Sequence, residues 1–280
     1  MRATRGWMAA SLIAVAVEAP AADPPAGTPV SFVACPVARD TGPDTDLCFF
    51  TEHDGNRYAL VNPPDWGVPQ LKHRVLVEGR VKEGPPVCGA IAIEGRASVL
   101  PEVDEGCSEV MPFDGVVKGE TGGVFNRGTP QQRAFAQDLA QRAAIDPSAS
   151  LEPAILDPPP SPTPVPPFGP RSLVITYPFN STRGSGPDML KLKELAAYAR
   201  AANAKSVQIT GYRAISVLSD GGALTEDPQI ARARAEKIAA ILGALGVNAK
   251  LTHVGWNEGA IAGKGDDDWR NRKVDVAVTP

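Results

Sequence analysis

Histidine, cysteine and aromatic residues are all scarce in this chain. Its 280 residues include three histidines and four cysteines, and Phe, Trp and Tyr together make up 6%. The histidines (His53, His73 and His253) stand far apart, with no nucleophile motif beside them, so imidazole-based acid–base or metal chemistry has no local signature. Gly184-Ser185-Gly186 lacks the residues that precede the serine of a nucleophile elbow. Glu258 and Asp220 do not read as an acid/base pair. Nothing in the sequence implies a cofactor, and the reading is a protein that is not an enzyme. Outside the N-terminus there is no apolar run of about 18 residues, the length that crosses a bilayer as a helix. Charge of one sign is missing too: 28 Lys+Arg stand against 32 Asp+Glu, which argues against a nucleic-acid partner.

Proline (28) and glycine (27) are abundant instead, and a hydrophobic share of 43% is enough for a packed core. The charge is uneven. Residues 171–280 carry 15 basic and 11 acidic side chains, so this half is net cationic and the preceding half net anionic.

Met1-Arg2-Ala3-Thr4-Arg5 is a cationic start. A short apolar stretch from Trp7 to Val17 follows, then Glu18-Ala19-Pro20-Ala21-Ala22. This is the pattern of a secretory signal peptide over residues 1–22, cleaved after Ala21 or Ala22. It implies export to the periplasm or cell envelope as a soluble, non-lipidated protein. Phe32-Val33-Ala34-Cys35 lies too far beyond the apolar stretch to be an acylation site. In an exported chain, Cys35, Cys48, Cys88 and Cys107 read as two disulfides. Three connectivities are open, and the expected one is sequential (Cys35–Cys48, Cys88–Cys107) because it closes the shortest loops. Without a C-x-x-C pair, a zinc module is not expected, and no metal ligand set is read.

Residues 30–145 read as a small disulfide-stapled β domain, a barrel or sandwich with an OB-like barrel as its leading form. Arg74–Val81 and Ala90–Glu94 have β-branched strand character, and turn signals such as His53-Asp54-Gly55-Asn56 surround them. A trailing amphipathic helix spans Gln131–Ala144, with Thr129 at N-cap and Pro130 at N1. Residues 146–170 form a Pro-rich linker favouring polyproline II, read as a spacer that holds two domains apart.

Residues 171–280 alternate strand and helix in a β-α-β-α-β-β order, the pattern of a two-layer α/β sandwich with helices on one face of a mixed sheet. The overall fold class is therefore α+β. Strands are expected at Ser172–Tyr177, Ser206–Thr210, Ala249–Val254 and Val274–Val278. Helices are expected at Pro187–Ala201 and from Asp227, as cap, to Leu245, with Gly246 as the stop. Asp266-Asp267-Asp268 lacks the spacing of a calcium loop and reads as a solvated loop.

Four fragments in this region stand in a recognisable order: Phe179-Asn180-Ser181, Ile209-Thr210-Gly211-Tyr212-Arg213-Ala214, Ile230-Ala231-Arg232-Ala233-Arg234-Ala235-Glu236-Lys237-Ile238, and Asn271-Arg272-Lys273-Val274. Together they resemble the OmpA-like (OmpA/MotB C-terminal) peptidoglycan-binding domain family. The resemblance implies a non-catalytic envelope protein that binds or tethers to peptidoglycan through the diaminopimelate of the stem peptide. It makes Arg234 the carboxylate-binding residue, with Asn271, Arg272, Phe179 and Asp227 around it. An Arg fork suits a carboxylate because two parallel donors meet two oxygens. The chain departs from the family at Ala214, where the family has an ammonium-binding Asp, and at Tyr212-Arg213 in place of His-Thr. The stretch from Ala214 to Arg234 is also longer, which brings Asp220 and Asp227 forward as substitute carboxylates. The alternative is a degenerate OmpA-like module that binds outer-membrane or other envelope proteins.

Overall fold

A computed structural model describes residues 23–40, 48–60, 69–112 and 164–280. The expected signal peptide, the helix at Gln131–Ala144 and the linker up to residue 163 lie outside the described residues.

The described residues of the first domain form the strands β1 (Pro29–Ala34), β2 (Pro36–Arg39), β3 (Cys48–His53), β4 (Asn56–Ala59), β5 (His73–Val81), β6 (Ile93–Val103) and β7 (Val110–Met111). β1 and β2 are one strand broken at Cys35. The first half pairs antiparallel with β5, and β5 with β6; the second half pairs with β3, and β3 with β4. A parallel bridge between Tyr58 and Ile91, flanked by Ala59 N–H to Ile91 O and Ile91 N–H to Arg57 O, closes the ring. Side chains alternate across a strand, so Val30, Phe32, Phe49, Tyr58, Val75, Val77 and Ala97 meet inside. β5 is different: Val75, Leu76, Val77 and Glu78 are all buried, because the outward pair, Leu76 and Glu78, is covered by the second domain.

The disulfides are Cys35–Cys107 and Cys48–Cys88, not the sequential pairs expected from loop closure. The reason is topological. β3 starts at Cys48 across from the turn that leads into β6, and the break between β1 and β2 lies beside the turn after β6. Strand pairing sets these neighbours, and it outweighs the small entropic preference for short loops.

The second domain contains β8 (Arg171–Thr176), α1 (Gly186–Ala201), β9 (Ser206–Gly211), β10 (Ile215–Val217), β11 (Ala223–Thr225), α2 (Ile230–Ala244), β12 (Thr252–Trp256) and β13 (Lys273–Thr279). Its sheet runs β12-β9-β13-β8, with β12 parallel to β9 and β13 antiparallel to both neighbours. Ile175, Val207, Ile209, Val274, Val276 and Val278 of the sheet pack against Leu192, Leu195, Ala199, Ile238 and Leu242 of the helices. The Ser185 hydroxyl caps α1 by accepting from Asp188 N–H, with Pro187 in the first turn. Helix α2 begins at Ile230 rather than after Asp227, because Asp227–Gln229 forms a turn in which Asp227 Oδ1 accepts from Gln229 N–H. Gly211 lets α2 approach β9: a Cβ there would run into the Ala231 carbonyl. The hairpin β10–β11 fills the lengthened stretch and was not expected.

The two domains are in direct contact and are not held apart. Leu76 and Leu100 of the barrel cluster with Phe179 of the second domain. Arg80 pairs with Asp266, and Arg96 lies 4.5 Å from the Trp269 ring. Within Asp266-Asp267-Asp268, read as a solvated loop, only Asp267 is exposed. The Asp268 carboxylate is buried and accepts from the N–H groups of Lys264, Val217 and Gly265, which ties this segment to β10. At the other side of the linker, Phe168 packs edge-on to Tyr198, whose hydroxyl donates to Gly169 O, so the chain enters β8 docked on α1.

Candidate functional site

The residues singled out in the sequence converge on one end of the α/β sheet, where β9 and β13 meet the Phe179 turn and the β10–β11 hairpin. Arg234 projects from α2 and is fully buried. Its guanidinium makes five bonds: Nε to Ser181 O (2.8 Å), Nη1 to Tyr212 O (3.1 Å) and Glu226 Oε2 (3.0 Å), and Nη2 to Pro178 O (3.2 Å) and Glu226 Oε1 (2.5 Å). The Tyr177 ring lies 4.9 Å from it. Burial pushes the Tyr177 phenol well above the ordinary tyrosine range, against the opposing pull of Arg234.

Glu226 is the residue the sequence did not point to. Besides the Arg234 fork, its carboxylate accepts from Asn180 N–H (2.9 Å, Oε1) and Ala214 N–H (3.0 Å, Oε2). Four donors therefore surround one carboxylate in a water-excluded pocket. A bidentate Arg plus two backbone N–H groups is an arrangement that stabilises a buried anion, because the opposite charge and the hydrogen bonds offset desolvation. Asn180 sits at φ 50°, a left-handed position that Asn tolerates, and this turn aims its N–H into the pocket. Its Oδ1 accepts from Asp227 N–H (2.7 Å), fixing the residue next to Glu226.

The other expected residues divide. Phe179 is buried beside Arg272 and under the barrel. Arg272 is fully buried: Nε donates to Tyr177 O, Nη1 to Glu78 Oε1 (3.0 Å) and Ser216 Oγ (2.8 Å), and Nη2 to Glu78 Oε2 (2.5 Å). Asn271 is half-buried at the end of the turn before β13. Asp227 is exposed, and its side chain closes its own turn rather than facing the pocket. Asp220 does the same at the hairpin tip, accepting from Gly222 N–H. Ala214 contributes only its backbone. Arg213 clamps the rim, donating to Glu226 O (3.0 Å) and twice to Glu258 O. One signal for Glu226 was present: an acidic residue immediately before Asp227, within the stretch longer than the family's.

The histidines lie on separate strands, β3, β5 and β12. Among the described residues, Cys35, Asp104 and Cys107 form a group spaced for a metal, but both sulfurs are joined to each other in a disulfide. A cleft of about 330 Å³ lies at the other end of β9, between the C-terminal ends of α1 and α2, lined by Arg200, Asn203, Val207, Gly246 and Asn248. No helix among the described residues is long and apolar enough to cross a membrane.

No family model matches the chain, and no curated protein does. Among solved structures it is similar to the OmpA-like domain of FopA1 from Francisella tularensis subsp. tularensis SCHU S4, at 17% identity over 39% of this chain and 71% of that one, with a TM-score of 0.32. It is also similar to a MotB-like protein from Desulfovibrio vulgaris, at 12% identity over 53% of this chain and 94% of that one, again with a TM-score of 0.32. At these scores, the fold rests on its own strand order and packing.

Proposed function

We propose that this is a non-catalytic, exported protein of the cell envelope whose C-terminal OmpA-like module serves protein–protein interaction, with an OB-like barrel docked against it. One observation carries the reading: the guanidinium fork that the resemblance assigns to a peptidoglycan carboxylate is filled by the chain's own Glu226, with all four donors committed. A ligand carboxylate would have to displace an intramolecular one that has no translational entropy left to lose. Ala214 removes the ammonium partner as well. The four disulfide-bonded cysteines and the signal-peptide pattern support export to the periplasm. The barrel's strand succession, closed by a parallel bridge between Tyr58 of β4 and Ile91 just ahead of β6, supports the OB-like assignment.

The second reading, a peptidoglycan tether acting through Arg234, Asn271, Arg272, Phe179 and Asp227, is favoured by the geometry at Arg234 alone, since Arg272 and Phe179 are buried against the barrel and Asp227 faces away. The pocket's donors converge on one carboxylate, and a diaminopimelate carboxylate that displaced Glu226 would meet the same set. Sedimentation of the full-length protein with purified sacculi separates the two readings. The interaction reading expects the wild type to stay in the supernatant. Pelleting that free diaminopimelate reverses would overturn it and establish the tether.

A further inference from the structure

Glu78 lies on the outward face of β5, where a barrel strand ordinarily meets water, yet it is fully buried and bonded across the domain boundary. It accepts from Arg272 Nη1 and Nη2 and from the Ser216 hydroxyl (2.9 Å). Leu76, two residues earlier on the same face, and Leu100 on β6 lie against Phe179, with Leu218 and Leu224 of the hairpin packed around them. The free edge of β1 is also covered: Ser219 N–H donates to Ser31 O (2.7 Å), and Ser31 N–H donates to Ser219 Oγ (3.0 Å).

We propose that this end of the α/β domain is a docking surface for a β-strand carrying a carboxylate two residues from a branched apolar side chain. The barrel's own β5 holds that surface closed in cis, so that an external partner with the same chemistry binds only when the barrel is released. The inference rests on the interaction reading above and names its partner class and its regulation. The chemistry follows from the pieces in place. Arg272 is a rigid fork held by Tyr177 O, so it accepts a carboxylate in one plane. Phe179, Leu218 and Leu224 form an apolar floor beside it, and Ser216 relays a hydrogen bond to the same carboxylate oxygen. A ligand without the anion leaves a buried guanidinium unpaired, which makes the surface selective. The surrounding contacts, Arg80 with Asp266 and Arg96 with Trp269, lie on the barrel's rim and set its orientation.

The test uses the full-length protein as wild type, as Glu78→Lys, which sets two cations together, and as the charge exchange Glu78→Arg with Arg272→Glu. Hydrogen exchange is followed at residues 177–181, 214–218 and 268–273. The probe is a labelled peptide copying residues 73–81, together with a version carrying Gln in place of its glutamate. Expected is a protected wild type that binds the peptide weakly. Glu78→Lys should lose protection at those three segments alone and bind the peptide roughly tenfold or more tighter, by removing competition from the closed state. The Gln peptide should gain nothing, and the charge exchange should restore protection. Wild-type protection in Glu78→Lys overturns the proposal, as does an opened surface that does not distinguish the two peptides. If Glu78→Lys does not fold, Glu78→Gln is read the same way: unchanged protection overturns the proposal, and selective loss supports it. Pelleting of an opened variant with sacculi would instead overturn the interaction reading itself.

Discussion

Glu78 and Arg272, 194 residues apart in the chain, form a fully buried bidentate ion pair that joins the β barrel to the α/β domain. A second pair, Glu226 with Arg234, is buried at the same end of the sheet. Both arginines come from stretches that resemble a ligand-binding family. In both, the fork is closed by a carboxylate of this chain.

Removing one member of such a pair strands a charge. Glu226→Ala is expected to lower stability by about 3–5 kcal/mol, because Arg234 stays buried without its counter-ion. Acetate, but not chloride at equal ionic strength, should recover part of the loss by entering the emptied position. Urea unfolding with and without acetate checks both.

Replacing both members of the interdomain pair should cost less than removing either. Glu78→Leu with Arg272→Met is expected to lie nearer the wild type than Arg272→Met alone, with a coupling of about 1–3 kcal/mol in a double-mutant cycle. The exposed pair Arg232–Glu236 is the control, since disrupting it should change stability by less than about 1 kcal/mol.

Non-reducing digestion and mass spectrometry should recover peptides joined through Cys35–Cys107 and Cys48–Cys88. Replacing Cys48 and Cys88 together by alanine should destabilise the barrel by about 2–4 kcal/mol, as loss of a cross-link across a long loop does. Peptides joined as Cys35–Cys48 would contradict the fold of the barrel.

Tyr177 gives an alkaline signature. Its folded-state pKa is raised by burial, so the native state holds its proton more tightly than the unfolded chain. The stabilisation is fully present below the unfolded tyrosine value of about 10 and is lost as pH rises from there toward the higher folded value. Stability should fall with pH in that range, and Tyr177→Phe should make the fall shallower. Denaturant midpoints measured across alkaline pH test this.

Gly211→Ala places a methyl group against the Ala231 carbonyl, and the backbone of α2 cannot yield as a flexible side chain would. A loss of about 1–3 kcal/mol is expected, as for overpacking elsewhere. The thermal midpoint should drop while the far-UV spectrum stays unchanged.

Much of the second domain was legible locally. The periodicity of Leu192, Leu195 and Ala199, the β-branched run ending at Val278, and proline near the start of α1 each report on their own neighbourhood within a few residues. The barrel was legible only as short strands between turns, since alternation does not say which strand pairs with which. The β10–β11 hairpin was missed because Ile215–Val217 and Ala223–Thr225 are too short to carry a pattern. Glu78 offered one overlooked sign: a carboxylate directly after the apolar run Val75-Leu76-Val77, on a strand with both faces covered.

The sequence by itself determined the β-α-β-α-β-β succession of the second domain apart from its β10–β11 hairpin, the even cysteine count and the two arginines at the centre of the candidate site. Propensity, capping and turn chemistry act between residues close in the chain. Only the tertiary structure decided the disulfide pairing and the fate of those arginines. A buried charge needs a partner within hydrogen-bond reach, and that partner is chosen by which distant segments the fold brings together. Here it brought Glu226 on a hairpin end to Arg234, and Glu78 on a barrel strand to Arg272.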